Sequence, residues 1–122
     1  MLIAIAAGGG IGALGRHFLS AAVASLLGSG FPWGIFVVNI LGGFLMGVIV
    51  ETGALKFGYS LELRAFLTTG LLGGFTTFSA FSLDASLMIE RGDWPGAMTY
   101  VAGSALFSIA ALFAGLWLVR SL

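Results

Sequence analysis

The sequence predicts an all-α membrane protein with four transmembrane helices, the third broken near mid-membrane. Three observations carry that prediction. Of the 122 residues, 59% are hydrophobic and 8% charged, whereas a soluble domain uses roughly 25% charged residues to dress its surface. Mean hydropathy is +1.11, and the apolar residues fall into runs long enough to cross a bilayer, which takes about 20 residues each. The third run is overlong, and its middle, GGFTTFSAFS at residues 73–82, is dense with glycine and hydroxyl residues.

The chain reads as a single transmembrane domain, residues 1–122. The first helix is expected over residues 2–27. No basic leader precedes it and it continues through Arg16, so it reads as a span and not as a cleavable signal peptide. GSGFP (residues 28–32) interrupts the chain, and Pro32 suits the start of the second helix, residues 33–53. ALKFGYS (residues 54–60) is a short turn whose lysine and two aromatics, Phe57 and Tyr59, suit a membrane interface. The third helix is expected over residues 61–89. A straight helix of that length would span roughly 45 Å, against about 30 Å of hydrocarbon. Gly70, Gly73 and Gly74 permit a break near residues 73–77. Broken backbone at membrane depth needs protein or a polar cavity around it, and its freed carbonyl and N–H groups make ion sites. ERGDWP (residues 90–95) is expected as a loop, and the fourth helix as residues 96–119, ending at Arg120. Small-residue spacings at Gly8/Gly12, Gly43/Gly47 and Gly70/Gly74 mark faces where helices touch.

Several function classes are excluded. There is no cysteine, hence no disulfide and no thiolate chemistry, and formal net charge is zero with no basic tract for nucleic acid. No P-loop, nucleophile elbow, HExxH or catalytic carboxylate pair is present, so the chain does not read as an enzyme. The first helix has no acid on which a proton-coupled carrier would turn.

The polar residues inside the spans carry the functional reading. Asn39 needs partners in hydrocarbon, and is either glue between helices or a donor to a permeating ion. Tyr100, Ser104 and Ser108 recur every four residues, which sets three hydroxyls on one helix face. Each could satisfy itself on its own helix; together they make a polar stripe that suits a lined pathway. Phe78 and Phe81 follow the break and alternate with Ser79 and Ser82. Such rings are ordinarily core, but their positive edges, turned inward, would give a small anion an electropositive surface without a fixed charge. Binding then stays weak enough for the ion to leave. Arg16 lies at a depth that costs at least about 2.5 kcal/mol. It either snorkels or serves anions or freed carbonyls from the interior or a wet vestibule. His17, the sole histidine, reads as structural. Asp84 is expected to pair with a basic group such as Arg16 or to snorkel toward Glu90. These residues by themselves indicate a pathway for a small polar solute or anion.

Over its full length the chain resembles the Fluc, or CrcB, family of fluoride channels. The resemblance rests on GGGIGALGRHF (residues 8–18), NILGGFLMG (residues 39–47) and above all GGFTTFSAFS, in that order among four spans. It implies an antiparallel, dual-topology homodimer with two pores and a central sodium ion, exporting fluoride passively from the cytoplasm across the bacterial inner membrane, with membrane lipid as its surroundings. By position, it implies that Phe78, Phe81, Asn39, Ser79, Tyr100, Ser104 and Ser108 line the fluoride path. Arg16 stands in the vestibule, and the backbone carbonyls of Gly73 and Thr76 hold the sodium. Two positions depart from the family: Ile35 stands where many members have threonine, and His17 where a tyrosine often follows the arginine. The competing classes are a small secondary transporter resembling a multidrug exporter, and a non-transporting assembly subunit. Lys56, Arg64 and Arg120 fall on one side of the expected topology and Arg91 on the other, a small orientation bias. Four short helices are too few to enclose a pore, so a dimer is expected. An antiparallel pair would present the same break to each other across a twofold axis.

Overall fold

The computed structural model describes residues 1–28, 30–56 and 58–122. Ser29, in the expected first loop, and Phe57, in the expected second, lie outside the described residues. Helix α1 is Leu2–Leu27 and α2 is Trp33–Leu55, two residues longer than expected. The third span, Leu61–Glu90, is 30 residues long and consists of two helices. Helix α3 (residues 61–75) starts as an α-helical turn, Leu61–Arg64, widens into a π-helix over Ala65–Leu72 and closes with Gly73–Phe75. Helix α4 is Phe78–Glu90, and α5 is Trp94–Ser121. The four spans are long and apolar enough to cross a membrane, and the protein is a multi-pass integral membrane protein.

Capping sets the helix starts. The Ser60 hydroxyl accepts from the Leu63 N–H at 3.1 Å, and the Asp93 carboxylate accepts from the Gly96 N–H at 3.0 Å. Each satisfies a donor that a first turn leaves without an intrahelical partner. The Asp93 cap corrects the expected loop at residues 90–95. Glu90 still belongs to α4, and Trp94 and Pro95 already belong to α5. Proline is tolerated there because its missing N–H would have had no partner. The actual turn is residues 91–93, where Gly92 takes φ 79°, a conformation open to glycine.

The small-residue spacings find one another. A Cβ on Gly8 would stand 2.7 Å from the Phe66 carbonyl oxygen, and one on Gly70 would stand 2.9 Å from the Ile5 carbonyl oxygen. Gly12 meets the Leu71 carbonyl and Gly74 the Gly9 carbonyl. So α1 and α3 dock backbone on backbone. Helices α2 and α5 interlock the same way, with Gly43 and Gly47 against the Ser108 and Leu112 carbonyls and Gly115 against that of Phe44. Close packing of this kind drives association where lipid removes the hydrophobic incentive. Helix α4 rests on α5 through side chains instead, in a core of Ala85, Met88, Ala97 and Tyr100 backed by Phe31, Ile35 and Phe81. The ends are ordered as an up-and-down bundle requires. Arg120 donates to Glu51 at 3.1 Å, and the N-terminal ammonium lies 3.7 Å from Glu62.

Candidate anion pathway at the broken helix

The break occupies Thr76 and Thr77, both extended, at φ −86°, ψ 155° and φ −151°, ψ 129°. Most of its polar groups have partners. The Thr76 N–H and hydroxyl both donate to the Leu72 carbonyl at 2.9 Å. The Thr77 hydroxyl caps α4, accepting from the Ala80 N–H at 3.3 Å, and meets the Ser79 hydroxyl at 3.1 Å. The Thr77 N–H, which a continuous helix would give to Gly73, goes to the Asn39 side-chain oxygen at 3.2 Å. The Asn39 NH₂ reaches back to the Thr77 carbonyl in a long contact of 3.5 Å. Asn39 thus stands in for a strand of backbone: both ends of its amide meet both polar groups of one extended residue. The alternative of inter-helix glue is met, and the same side chain also faces a groove.

That groove, about 380 Å³, runs between α2, the break and α5. Asn39, Thr77, Phe78, Phe81, Ser104 and Ser108 line it. The rings of Phe78 and Phe81 lie 5.5 Å apart, tilted by 46°. Phe78 is 78% exposed, so one chain leaves this wall uncovered. The hydroxyls of Ser104 and Ser108 are buried and have no hydrogen-bond partner among the described residues. A buried hydroxyl without a partner costs about 1–3 kcal/mol. The two lie in register, one turn apart, as donors that a hydrogen-bond-accepting ligand could satisfy. No charged side chain lines the groove.

Other site residues stand around it. Ser79 is exposed, and among the described residues its hydroxyl meets only that of Thr77. Gly73 is exposed and Thr76 half-buried beside the groove. Tyr100, expected in line with the serines, is fully buried and not in the groove wall. Its ring packs 5.0 Å from that of Phe81, and its hydroxyl donates to Asp84 at 3.3 Å. That bond replaces the expected pairing of Asp84 with Arg16, which is in no ion pair among the described residues. Residues 84 and 100 lie equally far from Gly92, so a tight antiparallel hairpin brings them level. This symmetry was the available signal for the pair. Beyond the Phe81–Tyr100 stack is a second cavity, about 450 Å³, reached by Asp84, His17 and Arg91. Arg16 is half-buried and lines neither cavity.

The family model described as CrcB-like protein, Camphor Resistance (CrcB), matches residues 3–116. The chain belongs to the CrcB family. Among its relatives, the fluoride-specific ion channel FluC of Chelativorans sp. is 51% identical, over 99% of this chain and 97% of its own length. That of Rhodospirillum centenum is 50% identical over 99% and 96%, and that of Agrobacterium fabrum 49% identical over 97% and 94%. Thr77 is the residue of this CrcB chain that sequence reasoning passed over. It caps α4, receives Asn39 and lines the groove. A Thr directly before a helical run is an N-cap signal, and it was hidden because the break was read from glycines.

Proposed function

We propose that this CrcB protein is a fluoride channel, passing the ion down its gradient out of the cytoplasm across the bacterial inner membrane. One observation carries this reading: the unpartnered Ser104 and Ser108 hydroxyls share an uncharged groove with Phe78, Phe81 and Asn39. A strongly hydrated anion must exchange its water for donors. Hydroxyl and amide donors with positive ring edges supply that exchange without a fixed positive charge to trap the ion. This is the chemistry of passage, not of catalysis.

The functional unit is an antiparallel homodimer in membrane lipid. What supports it is the open side of the groove, where Phe78 stands exposed, and the exposure of Gly73 at the break. Where two breaks cross, the carbonyls of Gly73 and Thr76 from each copy would hold a sodium ion. Both carbonyls have lost their helical donors, the Thr77 N–H to Asn39 and the Ala80 N–H to the Thr77 hydroxyl. Neutral oxygen ligands suit a hard cation, and no group of three or more His, Asp or Glu residues gathers among the described residues. The donor set is uncharged, which fits a monovalent ion.

The experiment is passive fluoride efflux from liposomes holding the purified protein, with no proton gradient. Channel-like emptying of the vesicles is expected. Efflux only when a proton gradient is imposed would make the protein a coupled carrier, and no efflux under either condition would leave it an assembly subunit.

A further inference from the structure

Where the third span enters the membrane, the end of α2, the turn that follows and the start of α3 enclose a third cavity, about 260 Å³. None of its lining residues lines the groove. Its outer part is polar: Arg64 and Thr68 reach it from α3, about one turn apart, and Tyr59 from the turn. Two glycines make the room. A Cβ on Gly53 would stand 2.7 Å from the Tyr59 ring, so the bare backbone lets that ring lie against α2, and one on Gly58 would meet nothing within 4 Å. Ile49 and Val50, about 8 Å deeper along α2 than its end at Leu55, make an apolar floor. Gly58 and Arg64 are exposed, so the cavity opens outward.

The charge at this end of the bundle is unbalanced. Both of its acidic side chains are engaged elsewhere: Glu51 accepts from Arg120 at 3.1 Å, and Glu62 lies 3.7 Å from the N-terminal ammonium. Lys56 and Arg64 are left in no ion pair among the described residues. Arg64 is also the fourth residue of α3, at the end of a helix where the dipole disfavours a cation. The Thr68 hydroxyl donates to the Arg64 carbonyl at 2.7 Å, so the guanidinium and the Tyr59 phenol are the donors the cavity has to offer.

We propose that this cavity seats the headgroup of an anionic phospholipid, with its phosphate on Arg64 and Tyr59 and the start of its chains against Ile49 and Val50. A guanidinium presents its N–H groups as a fork that matches phosphate oxygens. Basic pockets between transmembrane helices take anionic headgroups, and tyrosine favours headgroup depth. A soluble phosphate shares the headgroup's chemistry but has nothing to set against the apolar floor, and that floor favours the lipid. The site is separate from the groove, and the proposal is independent of which ion the groove passes.

The test is native mass spectrometry of the full chain in detergent, titrated with phosphatidylglycerol, with phosphatidylcholine of the same chains, and with inorganic phosphate. One phosphatidylglycerol per chain is expected to bind first, and phosphatidylcholine, whose phosphate is offset by its own cation, only at higher concentration. Arg64→Gln removes a charge-assisted donor and should weaken phosphatidylglycerol binding by about tenfold or more. Lys56→Gln removes a cation that does not line the cavity and should weaken it by no more than about fivefold. Arg64 is exposed and without an ion pair among the described residues, so the R64Q chain should stay folded, which the charge-state distribution in the same spectrum reads. Equal binding of the two lipids by the wild type overturns the proposal, as does an R64Q chain that holds phosphatidylglycerol as tightly as the wild type. Equal weakening by the two variants overturns it as well, since the attraction would then be diffuse. Phosphate adducts in place of lipid, lost in R64Q, would assign the cavity to a soluble phosphate and overturn the lipid.

Discussion

Asn39 performs two tasks that a pair of substitutions should separate. Its oxygen accepts the Thr77 N–H at 3.2 Å, and its amide faces the groove. Asn39→Asp keeps an oxygen for that N–H but places a negative charge against the proposed ion path. At about 4 Å and an effective dielectric of about 20, the repulsion of a passing anion is about 4 kcal/mol. At about 1.4 kcal/mol per decade, that is roughly a thousandfold loss of flux. Asn39→Ala removes acceptor and donor together and leaves the Thr77 N–H without a partner, a cost of about 1–3 kcal/mol. The expected pattern is an N39D protein that melts close to wild type yet does not conduct, and an N39A protein that melts lower. Both are read by efflux from liposomes alongside thermal unfolding in detergent. Wild-type flux in a folded N39D protein would refute the placement of Asn39 on the ion path. Unchanged melting of N39A would refute its role as a backbone substitute.

Four further outcomes are expected. Ser104→Ala and Ser108→Ala should leave stability unchanged or raise it by up to about 1–3 kcal/mol each, because a buried hydroxyl without a partner is removed, while fluoride efflux falls; loss of stability would show that the hydroxyls are bonded after all. Gly12→Val sets a side chain against the Leu71 backbone carbonyl and should destabilise by at least about 1–3 kcal/mol, seen as a lower melting temperature and poor membrane yield. Single cysteines at Gly30, which has open space around it, and at Lys56, at opposite ends of the bundle, should each react with an impermeant reagent from both sides of the membrane if the chain inserts in two orientations. Exchange of sodium for a large organic cation should weaken the dimer, as measured by subunit exchange; an unchanged rate would argue against the carbonyl site.

What was legible in the sequence follows from periodicity and composition. Apolar runs mark the spans, and the glycine spacings at residues 8 and 12 and at 70 and 74 mark faces that the structure brings into contact. The break was legible as well, because a helix of 30 residues overfills the bilayer and glycine gathers in its middle. The π-helix over Ala65–Leu72 was not, because a shift of hydrogen bonds by one residue leaves the same amino acids in the same order. The start of α5 lies two residues before the expected one, because a proline suggests a loop whereas the Asp93 cap admits Pro95 to the first turn. Tyr100 looked equivalent to Ser104 and Ser108 by spacing. Its length carries its hydroxyl past the groove to Asp84, a distinction of reach that four-residue periodicity does not contain.

The break also has a time of formation. Its N–H is satisfied by a residue 38 positions away on another helix, and a span alone in lipid has no such partner. There, an unbonded amide costs several kcal/mol, so residues 73–78 of an undocked third span belong in continuous helix. Only when α2 arrives does Asn39 offer the Thr77 N–H a second acceptor, and only then does opening the backbone cease to be penalised. On this argument the third span is expected to insert as one overlong helix and to open at residues 76–77 when it docks against α2.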